Sequence, residues 1–426
     1  MLRSAFLLLS GNAAHSALLF ARNLALAALI PVEDYGIAAT LVVAIAAVEM
    51  ASAFGLQQQI VQARDGDDPR LQDALQGFQL FRGLLATLLM LALAWPLAWF
   101  FAVPQVAWGY AALALVPFCN ALQHFDMHRY NRAGRFGALI GVQTTPALVS
   151  LILIWPLAWW LGDWRVMLGA LVAYAALAAI LSHVVAERRF RPVFDAALWG
   201  RTLRFGWPIL LNAGLLFFVM QGDKMIVGRL AGMESLSSFA LAVTLTLTPS
   251  LVLAGSLGTA SLPKLSELAD RQADFAGATA RFIALCILCG MALGLVGLVG
   301  ASILPAFVAG TAWAPLATLV GPMAVMQGIR LAKTGPALSA LARGDTANAV
   351  VSNLPRIAAL IVGWVALSNG ADVLWLVWLG CAAEGAGLVL SAWAFARAAG
   401  TPLPWRSLAL AAAGFGILVA AAVALG

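Results

Sequence analysis

Apolar residues fall into thirteen stretches of about 20 residues along this 426-residue chain, with short polar segments between them. Roughly 20 apolar residues is the length that crosses a lipid bilayer as an α-helix. The pattern therefore predicts an all-α polytopic membrane protein with about 13 transmembrane helices. The predicted segments are 5–30, 36–60, 75–101, 106–125, 137–161, 164–186, 205–230, 236–261, 279–304, 314–338, 347–368, 372–397 and 405–425.

Lysine and arginine are divided unevenly between alternate loops. If the N-terminus is cytoplasmic, seventeen of them lie in the inner loops and tail, whereas Arg165 and Arg229 alone lie in the outer loops. Positively charged residues are retained preferentially on the cytoplasmic side of membrane proteins. The distribution therefore predicts a cytoplasmic N-terminus.

Composition narrows the class of protein further. Hydrophobic residues make up 62% of the chain and charged residues 10%, where soluble chains carry about 25% charged residues. These values exclude a soluble enzyme, a secreted disulfide scaffold, a disordered chain and a nucleic-acid-binding protein. The long unbroken apolar runs exclude an outer-membrane barrel, whose strands alternate. The net charge of +6 is explained by basic loops that orient the chain.

Motifs for catalysis and cofactor binding are absent from the sequence. It has no phosphate-binding loop, zinc-protease motif or nucleophile elbow, and no loop long enough to form a catalytic domain. The histidines of His124-x-Asp126-x-His128 have the spacing of a metal pair, but without a further ligand they favour a solvated helix end. The glycines between Gly290 and Gly300 predict close helix packing. We therefore predict no enzymatic activity, bound metal or cofactor.

An internal repeat indicates two copies of a six-helix unit. At an offset of 203 residues, Phe54-Gly55-Leu56 aligns with Leu257-Gly258-Thr259, each at the end of the second helix of its half. Six is an even number of spans, so the copies run in parallel, and parallel repeats of this kind place a substrate site between the halves. The predicted domains are an N-terminal six-helix bundle at 1–190, a C-terminal six-helix bundle at 200–398 and an additional transmembrane helix at 404–426. This organisation favours a transporter over an inert scaffold.

Several short motifs resemble a known family. They are LIPVEDYG at 29–36, Phe54-Gly55-Leu56 before an inner loop, QGDKMIVG at 221–228, and Leu262-Pro263 after the eighth span. In these features the chain is similar to the polysaccharide and O-antigen flippases of the multidrug/oligosaccharidyl-lipid/polysaccharide exporter (MOP) superfamily. The resemblance covers the first twelve spans and implies the two-bundle fold of the MATE transporters.

The resemblance also implies a function. Such flippases carry undecaprenyl diphosphate-linked oligosaccharides from the cytoplasmic to the outer leaflet of the bacterial inner membrane, for lipopolysaccharide and other surface polysaccharides. Its partners would be the lipid-linked glycan, the surrounding membrane lipid, and in function the polysaccharide polymerase and glycosyltransferases. A lipid II flippase and a cation-coupled multidrug exporter of the same superfamily are the alternatives.

Nine ionisable residues lie inside the predicted spans, where each costs about 2.5–3.5 kcal/mol on insertion scales and is a functional candidate. The six bases are Arg22, Arg82, Lys224, Arg330, Lys333 and Arg356, and the three acids are Glu49, Asp223 and Glu384. Structural ion pairing could neutralise only three of the bases. The excess of bases disfavours an exporter of organic cations.

Helical spacing places these charges on polar faces. Gln327, Arg330 and Lys333 recur every three residues, and Asn348, Ser352 and Arg356 every four. Gln76, Gln79 and Arg82 form a similar stripe. Polar stripes do not face lipid, so they are expected to line the bundle interior or a water-filled cavity.

A cationic cavity suits an anionic substrate, because guanidinium groups bind phosphate oxygens bidentately. We therefore predict that the six intramembrane bases contact the diphosphate of a lipid-linked glycan. Glu49 and Asp223 are candidates for binding a coupling ion or proton. Rocking of the two halves would supply alternating access.

Overall fold

The computed structural model of the chain describes residues 2–425, with side chains from residue 10 to residue 424. Over that range the backbone forms seventeen α-helices and no β-strand, which confirms the all-α prediction. Each predicted apolar segment overlaps at least one helix. Two of the helices, 137–161 and 347–368, begin and end at the predicted residues.

The chain divides into two compact units, Met1–Gln221 and Gly222–Gly426, with the boundary inside a long helix. The helices up to that boundary are α1 (Leu2–Leu29), α2 (Val32–Met50), α3 (Leu56–Gln62), α4 (Pro69–Phe100), α5 (Ala107–Ala112), α6 (Leu115–Ala121), α7 (Asp126–Arg132), α8 (Gly137–Leu161), α9 (Arg165–Val184) and the boundary helix α10 (Ala196–Leu230). The helices after it are α11 (Gly232–Leu268), α12 (Gln272–Ile303), α13 (Pro305–Val308), α14 (Pro315–Ala342), α15 (Ala347–Ser368), α16 (Val373–Ala399) and α17 (Trp405–Leu425).

Nine helical segments within residues 2–425 are long and apolar enough to cross a membrane. They are Pro69–Phe100, Gly137–Leu161, Arg165–Val184, Ala196–Leu230, Gly232–Leu268, Gln272–Val308, Ala347–Ser368, Val373–Ala399 and Trp405–Ala424. A tenth is formed if Pro104–Ala121 and Asp126–Arg132, which meet at a bend of 53°, are one span. The count of thirteen spans and the cytoplasmic N-terminus stay predictions.

The apolar segment predicted at 36–60 is interrupted, so the prediction of one continuous helix is wrong there. α2 ends at Met50 and α3 begins at Leu56. Between them Gly55 has a φ of 63°, in the left-handed region that glycine adopts without a Cβ clash. A Cβ at this position would also lie 2.4 Å from the Cδ1 atom of Ile209. Hydropathy does not register a turn of this kind.

Local capping fixes several helix ends. The Asp68 carboxylate accepts a hydrogen bond from the backbone N–H of Arg70 at 2.9 Å, and Pro69 occupies the first turn of α4. Asp372 caps α16 in the same way through the N–H of Leu374 at 2.7 Å. The apolar pattern predicts the start of α16 to within one residue, but it places the start of α4 at residue 75, six residues late, because polar residues occupy the first turns of that helix.

Small residues allow α12 and α14 to approach closely, as the glycine run predicted. A Cβ on Gly290 would lie 2.2 Å from the backbone oxygen of Gly328, and a Cβ on Gly328 would lie 2.3 Å from that of Gly290. Gly297 packs against Ala324, whereas a Cβ on Gly300 would meet nothing within 4 Å. Close backbone approach through small residues is a common way for helices to pack in a membrane.

Large apolar side chains remain exposed on the span helices. Leu88 and Trp95 of α4 are 62% and 65% exposed, and Trp159 of α8 is 92% exposed. An apolar surface of this kind would be a liability in water and is suited to lipid, with tryptophan favoured near the headgroups.

Candidate functional site

Six of the intramembrane charges lie together in the unit that begins at Gly222. We call them the unit 2 charge cluster: Asp223, Lys224, Arg330, Lys333, Arg356 and Glu384. They come from α10, α14, α15 and α16. The cluster holds four bases and two acids, an excess of two positive charges.

Glu384 is the centre of this cluster. Its side chain is fully buried. Its Oε1 atom accepts a hydrogen bond from Nε of Arg330 at 2.8 Å and forms an ion pair with Nη2 of the same residue at 2.7 Å. Its Oε2 atom forms an ion pair with Nζ of Lys333 at 2.7 Å. The spacing of three residues places Arg330 and Lys333 on the same face of α14. Glu384 therefore holds two bases at once.

Neutral amides extend these contacts. Nη1 of Arg330 donates to Oε1 of Gln327 at 3.2 Å, and Nζ of Lys333 donates to Oδ1 of Asn353 at 2.8 Å. Gln327 is 1% exposed, which agrees with the predicted inward direction of its stripe. The two bases are thus held in position by acceptor oxygens on three residues, Glu384, Gln327 and Asn353.

Arg356 is buried and forms an ion pair with Asp223. Its Nε and Nη1 atoms have no hydrogen-bond partner among the described residues, nor does Oδ1 of Asp223. Lys224 follows Asp223 in α10 and interacts electrostatically with its carboxylate. Gly380 gives the guanidinium its space, because a Cβ there would lie 2.4 Å from Nη1 of Arg356. The ion pair is therefore closely packed, and part of its hydrogen-bonding capacity has no partner among the described residues.

Arg22 is the buried base of the first unit. It is 6% exposed, and within the described part of the chain no carboxylate lies at ion-pair distance from it. Its Nε atom also has no hydrogen-bond partner there. Tyr35 and Tyr174 interact with it electrostatically. Its charge is therefore buried and lacks a compensating carboxylate at ion-pair distance among the residues described.

Arg82 and Glu49 lie together at the break between α2 and α3. Nη1 of Arg82 donates to the backbone oxygen of Ser52 at 2.5 Å, and Oε1 of Glu49 accepts from Nδ2 of Asn120 at 2.7 Å. Both side chains line a cavity of about 210 Å³ together with Gln79. Tyr174 interacts electrostatically with Glu49 as well as with Arg22. The structure thus provides a second polar region, in the first unit.

From the sequence, Glu384 is predicted only as one of three intramembrane acids, and Asn353 and Tyr174 are not predicted as site residues. One feature of the sequence could have indicated a role for Glu384: it is the single charged residue of α16 before Arg397. The pairing of Glu384 with Arg330 joins residues 54 positions apart, and no periodicity within a helix reports such a contact.

The expectation of a solvated helix end at His124 and His128 is wrong. Both side chains are buried, at 1% and 3% exposure. Asp126 between them is fully buried and accepts hydrogen bonds from Nε2 of Gln72 at 2.8 Å and from the backbone N–H of Arg188 at 2.7 Å. The segment after α9 therefore folds over this end of α7. Among the residues whose side chains the structure describes, no group of three potential metal ligands occurs.

Comparisons with known proteins identify a family and a relative of this chain. A family described as polysaccharide biosynthesis protein matches residues 25–318, more than half of the chain. The amylovoran biosynthesis protein AmsL of Erwinia amylovora is 27% identical over 202 residues, which cover 46% of this chain. The match spans 51% of that relative, about half of its length.

Solved structures share the fold along nearly the whole chain. An inward-facing multidrug resistance MATE transporter of the MOP superfamily matches with a TM-score of 0.71 and 12% identity, covering 96% of this chain and 95% of that one. The lipid II flippase MurJ in an inward closed conformation matches with a TM-score of 0.68 and 14% identity, covering 98% and 97%. The family match and these folds confirm the resemblance identified from the motifs. The chain therefore belongs to the polysaccharide biosynthesis protein family and is a multi-pass membrane protein whose fold is shared with MATE transporters and the lipid II flippase MurJ.

Proposed function

We propose that this protein is a flippase that moves undecaprenyl diphosphate-linked oligosaccharides from the cytoplasmic to the outer leaflet of the bacterial inner membrane. The glycan would serve surface polysaccharides such as O-antigen. The family description and the relative named for amylovoran biosynthesis support a polysaccharide pathway. Movement would occur by alternating access through a cationic cavity.

The observation that carries the proposal is the excess of positive charge in the unit 2 charge cluster. Among the described residues of this cluster, three bases form ion pairs with two carboxylates, and Lys224 interacts electrostatically with one of them. Burying charge costs several kcal/mol per ion unless opposite charge and hydrogen bonds offset it. A diphosphate supplies negative charge and many acceptor oxygens, and guanidinium groups match its geometry. An organic cation bound at this cluster would instead add to the buried positive charge and raise its free-energy cost.

We propose the same substrate role for Arg22 and Arg82 in the first unit. Arg22 is supported by its burial without a described acidic partner. Glu49 and Asp223 are proposed coupling groups: Glu49 lies beside Arg82 in the first unit, and Asp223 is paired with Arg356 in the second. The proposed topology keeps six helices in 1–190, six in 200–398 and one in 404–426, with a cytoplasmic N-terminus.

Export in cells tests the proposal. In a strain that lacks the gene, the variant carrying Arg22→Ala and Lys224→Ala is expected to abolish surface polysaccharide while its amount in the membrane stays normal. The matched control is Arg397→Ala, which removes an exposed arginine at the end of α16. Normal surface polysaccharide with the double variant would contradict a substrate role for these bases.

Two further measurements separate the proposal from its alternatives. A lipid II flippase is needed for growth, so viable cells that lack only surface polysaccharide support the oligosaccharide substrate. Loss of resistance to organic cations, with polysaccharide intact, would instead support a drug exporter. The direct readout is lipid-linked glycan that accumulates in the cytoplasmic leaflet when the flippase is lost. The flipping step would then follow the proposed glycosyltransferases and precede the proposed polymerase.

A further inference from the structure

A second cavity lies apart from all the predicted site residues. Its volume is about 410 Å³, and it is lined by Gln59, Gln62 and Ala63 of the α3 region and by Arg201, Arg204 and Phe205 of α10. All six residues belong to the first unit. Amide, guanidinium and aromatic groups thus share one space.

Gln59 is the feature that indicates a ligand. The residue is 2% exposed, and neither its Nε2 nor its Oε1 atom has a hydrogen-bond partner among the residues described. Buried amides are nearly always hydrogen-bonded, because leaving them unpaired costs free energy. An amide both donates and accepts, so hydroxyl groups such as those of a sugar satisfy it fully.

The two arginines add a site for an anion. They are three residues apart, so both lie on one face of α10. Arg201 is fixed by a bidentate contact with Asp65, at 2.5 Å and 2.7 Å. Arg204 is exposed and has no ion pair or side-chain hydrogen bond in the part of the chain that the structure describes. Its guanidinium is therefore available to a phosphate.

The surroundings of the cavity indicate the level of the lipid headgroups. Trp207, one turn after Arg204, is 58% exposed, and Phe194 before α10 is 67% exposed. Aromatic side chains beside arginines are typical of the membrane interface. In the predicted orientation this is the cytoplasmic interface, where a lipid-linked glycan is assembled.

We propose that this cavity is a docking site for the phosphorylated, hydroxyl-bearing headgroup of the lipid-linked substrate before translocation. Gln59 and Gln62 hydrogen-bond sugar hydroxyls, and Arg204 binds phosphate beside the anchored Arg201. The identity of the ligand rests on the proposed function. The same phosphate chemistry occurs in bulk anionic phospholipid, and the experiment separates these two sources.

The experiment titrates the full-length protein in phosphatidylcholine nanodiscs with undecaprenyl diphosphate carrying one N-acetylhexosamine, and in parallel with phosphatidylglycerol. Native mass spectrometry counts the bound lipid. Arg204→Ala is expected to weaken binding of the glycolipid about tenfold, because a hydrogen bond to a charged group is lost. Gln59→Met is expected to weaken it severalfold, with no loss of thermal stability, because it removes a buried unsatisfied amide. Arg70→Ala, which removes an exposed arginine outside the cavity, serves as the control.

Each outcome decides a separate point. Unchanged glycolipid binding in both cavity variants would overturn the docking site and leave the proposed function intact. Arginine-dependent binding of phosphatidylglycerol, with no glycolipid bound by the wild-type protein, would overturn the substrate assignment. Glycolipid binding that falls in both variants, with phosphatidylglycerol binding unchanged, is the expected result.

Discussion

Replacing Glu384 by Gln keeps the shape of the side chain and removes the charge that holds the unit 2 charge cluster together. Glu384 is fully buried and has ion-pair contacts of 2.7 Å to both Arg330 and Lys333. Removing one partner of a buried ion pair costs about 3–5 kcal/mol, because the other charge stays buried. Here two bases lose their carboxylate at once.

This cost converts to a measurable shift in thermal unfolding. For domains of about 150–250 residues, 1 kcal/mol corresponds to roughly 2–4 °C in Tm. Glu384→Gln is therefore expected to lower the apparent Tm by about 10 °C or more. The measurement is tryptophan fluorescence during heating of the purified full-length protein in detergent. Glu267→Gln, an exposed acid near the end of α11, is the matched control and should melt with the wild type.

A second variant tests the cause. Combining Glu384→Gln with Lys333→Met removes one of the stranded bases, so the double variant should melt at a higher temperature than Glu384→Gln alone. Melting of Glu384→Gln within 2 °C of the wild type would refute the reasoning, because it would show that no buried charge was being compensated. A double variant less stable than both single variants would refute the proposed coupling to Lys333.

Two further predictions concern packing and the loops. Gly328→Ala places a Cβ 2.3 Å from the backbone oxygen of Gly290, so overpacking should lower the apparent Tm by about 5 °C. Gly300→Ala is the control, because its new Cβ has no atom within 4 Å and should leave the Tm unchanged. Equal melting of the two variants would contradict the close approach of α12 and α14. The hydrogen bond from Arg201 lowers the pKa of Asp65, so the contribution of this carboxylate is complete above its ordinary pKa and is lost as the pH falls through the lowered value. The Tm difference between the wild type and Asp65→Asn should accordingly be present at pH 7 and shrink below about pH 4; a difference that grows on acidification would contradict the assignment.

The sequence predicted most helices because a membrane span needs a long apolar run, and polar residues at its ends mark the boundaries. It also predicted which polar residues share a face, as with Gln327, Arg330 and Lys333. It did not predict the break at Gly55, since a left-handed turn leaves hydropathy unchanged. Nor did it predict Glu384 as the common partner, because helix periodicity carries no information on contacts between α14 and α16.

The two units differ in how their buried bases are compensated, and this difference bears on the proposed mechanism. Arg22 has no acidic partner among the described residues, so an anion near it would relieve a desolvation cost without displacing any existing ion pair. Arg356 is already paired with Asp223, so a phosphate at Arg356 would compete with that carboxylate for the same guanidinium. Binding of an anion at Arg356 is therefore linked to binding of a proton or cation at Asp223, and each strengthens the other by the same factor. Neutralising Asp223 with a proton or cation would therefore strengthen anion binding at Arg356, and anion binding would favour that neutralisation. The pairing of Arg356 thus gives the proposed coupling role of Asp223 a physical basis that Arg22 alone does not supply.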